Sequence, residues 1–523
     1  MKTRRLFAVA LATVFGGALL AQTNMSTLTD ADGNPPTGIT VLDAATDWRL
    51  NEKVYVPDGG ELHIEAGTVI KATVGSGLQA PAIIVTRGGK IYAMGSKEAP
   101  IIMTTVEDNL DGTYPILTQG KWGGLLVLGR AYNNIKAADE FGIFDGEATI
   151  EGLDVPDDRH HYGQDRWETD DPDAPASVTD TDPNTTPNAG DLKTGGDFDQ
   201  NDNSGVIKYI SIRHGGAIIG DANEINGLTL GSVGKGTVLE HIEVISNQDD
   251  GIEFFGGNVD IKYATIMFCD DDYIDWDLGY TGRGQFIYGV QLPEGAGGAY
   301  SREGDHGLEI DGDDDDRYTG DPSPEYFSDP VFYNVTMIGN QGTDPGVEAK
   351  ERTNGEISNS IIANFAVGVG LASEGDRPSD AYENFLAGTL KFKNNTFVGN
   401  TIYLGVAEKH GTGNRIDPIP QSTIDAFNAD GNLEDNNLID FTMQMAADAD
   451  NTVSDAVDPV PAAGTAASDL APPVDDFFDA APYRGAFVPG EVPWTSGWTY
   501  ANELGMDNGL NTVNCATDVD GDG

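Results

Sequence analysis

The segment from Val206 to Asn400 repeats one short phrase with variations: VIKYISI at 206–212, VLEHIEVISN at 238–247, VDIKYATIMFC at 259–269, VFYNVTMIGN at 331–340, EISNSIIAN at 356–364 and LKFKNNTFVGN at 390–400. Each copy is an apolar-alternating, β-branched run ending in a small or amide residue. Two adjacent copies align at an offset of about 22 residues, a solenoid-type period. That pattern implies the coils of an all-β, right-handed parallel β-helix. A single coil cannot bury its inward face alone, so copies must stack, with strands roughly 4.8 Å apart along the axis. Equivalent residues then form ladders. Asn247, Asn340, Asn364 and Asn400 are expected at one turn as an amide ladder, with Cys269 taking that place in one copy.

Working outward, coils begin with KVYVPDGGELHIEAGTVIKA (53–72) and continue through APAIIVTRGGKIYAMGSKEAPIIMTT (80–105) and WGGLLVLGRAYNN (122–134). Repeat architectures grow along an axis, so 523 residues are read as one elongated body rather than several domains. The first 21 residues have the form of a signal peptide: Lys2, Arg4 and Arg5, an apolar stretch from Leu6 to Leu20, then a cleavage point at Ala21-Gln22. No other long apolar run follows, so a secreted or outer-surface location is expected, without a transmembrane segment. Cleavage would remove Lys2, Arg4 and Arg5 and carry the formal charge from −55 to −58. Such a density of acid repels itself unless salt screens it or divalent cations bind between carboxylates. It argues against nucleic acid, against anionic membrane surfaces and, absent bound cations, against docking of polyanionic sugars. With only Cys269 and Cys515 present there is no disulfide framework, and Cys269, inside a core-type run, is expected to be a buried thiol.

The motifs GTVIKA, IIVTRGGKIYAMGS, KWGGLLVLG, NSGVIKYISIRHGG, DDGIEFFGG, DDYIDWDLGYTGRGQF, PYRGAF and WTSGWT resemble a family of secreted right-handed parallel β-helix repeat proteins common in marine and aquatic Bacteroidota. Many members carry a C-terminal sorting domain for the type IX secretion system, which this sequence lacks. The resemblance spans roughly residues 50–500. It implies the fold and says little of activity, because members are generally without an assigned one.

The expected organisation is a polar lead-in over 22–50, a β-helix over 51–445 interrupted by acidic insertions at 153–204 and 293–330, an Ala/Asp/Pro linker over 446–476, an aromatic cap over 477–505 closing the helix end, and a tail over 506–523. Loops that project from a solenoid are where binding evolves, although the first insertion reads equally as a solvated excursion. Its His160-His161 pair is read as a surface pair.

The chemistry concentrates on successive coils. DDGIE (249–253) aligns with DDYID (271–275), and DHGLEID (305–311) repeats the pattern. With Ile252, Ile274 and Leu308 inward, Asp250, Asp272 and His306 should form one outward ladder and Glu253, Asp275 and Glu309 another. Carboxylates stacked at that spacing need compensation, and calcium, which takes six to eight oxygens in a flexible cage, is the expected structural cofactor. Candidate ligands are Asp249, Asp250, Glu253, Asp271, Asp272, Asp275, Glu309, Asp311 and Asp313, with further acidic-alternating loops at Asp197, Asp199 and Asn201 and at Asp518, Asp520 and Asp522. The last three match positions 1, 3 and 5 of a calcium loop that is cut short.

Two functional readings follow. The leading one is a calcium-stabilised interaction protein presenting an extended face to polysaccharide or cell-surface components without catalysis. The alternative is a polysaccharide lyase or glycoside hydrolase using Asp250, Asp272 and His306, since adjacent rungs supply paired carboxylates automatically. An exposed aromatic row would favour sugar binding in either case; Tyr263, Tyr273, Trp276 and Tyr280 are candidates, with core packing as the competing explanation.

Overall fold

The structure, a computed structural model, describes residues 22–28, 37–135, 146–153, 157–164, 198–219, 225–291, 304–313, 327–342, 344–372, 380–407, 416–417, 419–439, 457–464, 471–504 and 506–507. The expected signal peptide, Asp197, Cys515, Asp518, Asp520 and Asp522 lie outside the described residues, as does most of both insertions.

The chain forms a parallel β-helix. In one sheet the strands Val54–Val56, Ile83–Val85, Leu125–Leu128, Leu228–Gly231, Ile252–Phe255, Ile274–Asp277, Leu308–Ile310, Pro345–Ala349, Val367–Ala372 and Ile402–Ala407 pair in parallel in that order, one per coil. The other large sheet takes the longer runs: Gly205–Arg213, Val238–Ile245, Asp260–Met267, Arg283–Val290 and Val331–Ile338. The repeat read from sequence is the coil length, because Leu239 stands opposite Ile261 and Ile252 opposite Ile274. Period-two alternation sends Leu228, Ile252, Ile274, Leu308 and Val347 into one continuous buried core. The residue after each, Thr229, Glu253, Asp275, Glu309 and Glu348, faces out.

The longer strands bend at Tyr209, His241, Tyr263, Phe286 and Asn334, each in the left-handed region with φ between 50° and 61°. Non-glycine residues occupy that region at a cost. Here the bends are in register and the rings stack, Tyr209 on His241 at 4.1 Å, His241 on Tyr263 at 4.5 Å and Tyr263 on Phe286 at 4.9 Å. This stacking offsets part of the strain.

Several expectations are corrected. Coiling starts inside the supposed lead-in, where Gly38–Leu42 pairs with Gly60–Ile64 and Asp47–Leu50 with Val69–Ala72. The aromatic segment does not close the end of the helix; it lies along the flank. Trp494 and Trp498 meet the stacked rings edge-on, and Glu243 accepts the backbone N–H groups of Tyr500 and Ala501. The end is closed instead by the helix Gln421–Ala429, whose Phe427 enters the core against Phe392, Phe397 and Tyr403. The described parts of the expected linker are docked as well: Val457 is buried in the flank core, and Asp475 and Asp476 pair with Arg283.

The amide ladder is also displaced. Asn247, Asn364 and Asn400 do bond neighbouring backbone carbonyls. However, Ala363 pairs with both Ile338 and Val398, so Asn364 is level with Gly339 and Gly399, one position short of Asn340 and Asn400. A continuous amide ladder runs at a different turn, where Asn395 Oδ1 accepts Ser360 N and Asn432 Oδ1 accepts Asn395 N. Cys269 is a buried free thiol, pushed up to about 12 by burial.

Candidate metal centre

The acidic site grows directly from the outward columns. Two residues before each inward Leu or Ile stand Asn226, Asp250, Asp272 and His306, and the chain there is tied coil to coil by side chains. Asp272 N donates to Asp250 Oδ1 at 2.8 Å, and His306 N donates to Asp272 Oδ1 at 2.5 Å. The residue between ladder and strand must be small: a Cβ on Gly251 would lie 2.2 Å from Ile266 Cγ2 and 2.8 Å from the Tyr273 carbonyl. Glycine therefore lets Asp250 sit against the next coil. Both expected ladders exist, Asp250 with Asp272 and His306, and Glu253 with Asp275 and Glu309.

The carboxylates of the two ladders line a cleft of about 170 Å³. Asp249, Asp250 and Glu253 come from one coil, Asp271, Asp272 and Asp275 from the next, and Glu309 from the third. Glu151 completes the wall from the hairpin that pairs Glu147–Thr149 with His161–Gly163. That hairpin packs on the solenoid through Ala148, Ile150, Leu153 and Tyr162. Consequently His160 and His161 are not surface residues: both are buried, His160 beside the Tyr55 hydroxyl at 3.0 Å and His161 near the buried Arg87–Glu147 ion pair.

The cleft is electrostatically divided. On one side His306 Nδ1 lies 3.1 Å from both Asp272 Oδ1 and Glu309 Oε2, and its Nε2 lies 3.1 Å from Glu348 Oε2. Carboxylate oxygens at both ring nitrogens favour the doubly protonated imidazolium, while burial pushes the Asp272 carboxyl above the ordinary range despite His306 beside it. Burial alone would lower its pKa, but Asp272, Glu309 and Glu348 hold it well above the usual range. Lys350 pairs with Glu309 and approaches Asp311 at 3.6 Å. Burial works against its charge, yet Asp311, Glu309 and Glu348 keep it protonated. Glu309 is in turn held well below the ordinary carboxylate range by Lys350 and His306, despite its burial.

On the other side the neighbours are carboxylates. One oxygen each from Asp250, Glu253 and Asp275 lie within 4.8 Å of one another, and the same holds for Asp249, Asp250 and Asp271. Burial and then the surrounding acids push Asp250, Glu253 and Asp275 well above the ordinary range. Asn226 donates to Glu253, but its own Oδ1 is buried without a hydrogen-bond partner, as is Asp275 Oδ1. Carboxylate oxygens that converge with other acids as their charged neighbours suit a hard divalent cation such as calcium.

The other expected ligands do not join this set. Asp313 forms a buried ion pair with Arg352 at 2.5 Å, and Asp311 faces Lys350. Asp199 is exposed and accepts Asn201 N in a local turn. The expected aromatic row is internal: Tyr273, Trp276 and Tyr280 are core residues, and Tyr263 is covered by Trp494. Sequence reading missed Glu151, Asn226 and Glu348. Glu348 had a signal, since Gly346-Val347-Glu348 repeats Gly307-Leu308-Glu309 and Gly251-Ile252-Glu253. Glu151 had none, because an inserted hairpin obeys no coil period.

A family model described as a pectate-lyase like β-helix domain matches residues 36–156 and 174–446. The chain belongs to this family. Among solved structures it is similar to the pectate lyase Pel9A, at 13% identity and a TM-score of 0.33, covering 83% of this chain and 89% of that one. It is also similar to PfbA, a surface adhesin of Streptococcus pneumoniae, at 8% identity and a TM-score of 0.27, covering 72% and 85%. No curated protein matches. Among the described residues, no helix is long and apolar enough to cross a membrane.

Proposed function

We propose that this member of the family is a secreted or surface-exposed, calcium-stabilised β-helix that presents its extended face to glycans or neighbouring surface components without catalysing a reaction. The observation that carries the reading is the division of the cleft. Asp250, Glu253 and Asp275 converge their oxygens with acids as their charged neighbours, whereas the adjoining carboxylates already have His306 and Lys350 as built-in counter-ions. A divalent ion does for the first half what the two side chains do for the second. The same geometry weighs against His306 as the base of the enzymatic alternative and leaves its stacked carboxylates, Asp250 and Asp272, to the test below. A general base needs an unshared pair facing its substrate, while His306 is clamped by carboxylates at both nitrogens and Lys350 is held protonated.

The test has two arms. Thermal unfolding is compared in millimolar calcium and in chelator at matched ionic strength. An ion held only by the folded state adds about 2.7 kcal/mol at a hundredfold excess over its Kd, so a clear rise in midpoint is expected. An unchanged midpoint leaves salt screening as the whole account. In parallel the protein is incubated with alginate, pectate, laminarin and sulfated algal glycans while reducing ends and unsaturated uronates are followed. Sustained product that disappears in Asp250→Asn or Asp272→Asn, with circular dichroism unchanged, would replace this reading by the lyase or hydrolase one.

A further inference from the structure

We propose that two copies of this chain associate through the outer sheet face of the N-terminal coils, around Val41, Tyr92 and Val238. Neither the acidic cleft nor a bound ion takes part in this contact. Alternation builds the face. Leu42, Ile64, Ala93, Ile207 and Leu239 stand in register and enter the core, so the residue before each points outward. Those outward residues, Val41, His63, Tyr92, Val206 and Val238, form one column across successive coils. Val41 is 47% and Val238 39% exposed, and beside them Ile39 is 65% and Met94 55% exposed. Apolar side chains grouped in this way on an outer face mark an interaction surface, whereas scattered ones do not.

The charge of the face selects the partner. The chain has 85 acidic and 30 basic residues, yet here Glu61 and Glu240 stand against Lys90 and Lys208. Lys208 pairs with Glu240, and Glu61 Oε2 lies 2.8 Å from His63 Nε2. One coil further on, Asp260 and Lys262 continue the columns, and there the chain covers the face with its own C-terminal segment. Lys262 pairs with Asp479, Arg283 pairs with Asp475 and Asp476, and the two cations lie over the Phe477 ring at 4.7 and 4.9 Å. An acidic segment of that kind needs cations in excess of acids, which the first coils do not offer. A sugar needs aromatic platforms, but five of the seven apolar and ring side chains here, Ile39, Val41, Met94, Val206 and Val238, are flexible or branched chains without a ring. What fits is another uncharged, aliphatic sheet face, and a second copy brings one, with the two sheets about 10 Å apart. Excess acid elsewhere makes copies repel, which favours this face for their contact. Five coils and five strand residues span roughly 24 by 16 Å, about 400 Å² per copy against about 800 Å² in a standard interface. The dimer is therefore weak and concentration-dependent.

The experiment is sedimentation velocity of the full chain from micromolar to submillimolar concentration, in chelator so that no ion bridges acidic surfaces. It is run at about 0.1 M and about 1 M sodium chloride, between which the screening length falls from about 10 Å to about 3 Å. Dimer is expected to grow with concentration and to strengthen at the higher salt, because screening relieves the repulsion between acidic copies while the apolar contact persists. Val41→Glu and Met94→Glu each place an acid in the contact and should weaken association about tenfold or more. Leu386→Glu, at a 58% exposed position on the helix Ala381–Ala387, should leave it unchanged. Circular dichroism and the unfolding midpoint establish that each variant is folded. Should the chain unfold in chelator, the same variants are compared in saturating calcium, and the contrast of Val41→Glu with Leu386→Glu decides. A chain that stays monomeric at both salt concentrations overturns the proposal, as does a dimer that salt weakens or that survives both substitutions on the face. A monomeric wild type whose binding of neutral laminarin is lost in Tyr92→Ala would overturn it in favour of a sugar.

Discussion

Replacing His306 by Gln removes the only buried imidazolium in the acidic column, and the structure sets the size of the effect. The ring contacts Asp272 and Glu309 at 3.1 Å through Nδ1 and Glu348 at 3.1 Å through Nε2, and it is 5% exposed. Glutamine can donate one or two hydrogen bonds at that place but supplies no charge, so Glu309 and Glu348 keep only Lys350 of their two cations and Asp272 loses its cationic neighbour. Deleting one partner of a buried ion pair costs about 3–5 kcal/mol, because the remaining charge stays desolvated. The same deletion at the half-exposed Lys208–Glu240 pair, Lys208→Ala, should cost about 0–1 kcal/mol. The two variants are compared with wild type by urea unfolding in chelator, so that no added ion rescues the column. The sign with pH follows from the folded pKa of His306 being raised. Its contribution is fully present below the unfolded value of about 6.5 and is lost as pH rises through the folded value, so the gap between His306→Gln and wild type should narrow in alkali. A His306→Gln shift no larger than that of Lys208→Ala would refute the counter-ion argument.

Because Asp250, Glu253 and Asp275 have raised folded pKa values, the calcium-free protein should lose stability as pH rises from about 4 through those values. Saturating calcium should flatten that slope, and calorimetry in buffers of different ionisation enthalpy should detect protons released on binding. Asn395→Ala, which breaks the continuous amide ladder, should cost about 1–3 kcal/mol by denaturant unfolding, against about 0.5 kcal/mol or less for the exposed Asn51→Ala. Equal effects would disprove the ladder. Glu243→Ala removes the acceptor of two backbone N–H groups and of the Ser211 hydroxyl, so the C-terminal segment should become cleavable by protease at concentrations that leave the wild-type flank intact.

The coil and its acidic columns were legible in the amino-acid order because both are local periodicities. Alternation put Ile252, Ile274 and Leu308 inside, and the repeat of DDGIE by DDYID put Glu253 level with Asp275, as the strand register has it. What was not legible depends on where separate segments meet. One residue of slip moved Asn364 out of its supposed ladder, since turn geometry and not periodicity sets the level of a turn residue. The flank course of Trp494 and Trp498 answers to a stack of rings contributed by four coils, and Phe427 closes the core because an apolar helix face, rather than the aromatic segment, arrives at its open end. Sequence alone determined that carboxylates would stack. Only the tertiary structure decided which would be neutralised from within, because Lys350 and Glu348 arrive from a later coil and Glu151 from an inserted hairpin, and electrostatic pairing acts through distance in space rather than separation along the chain.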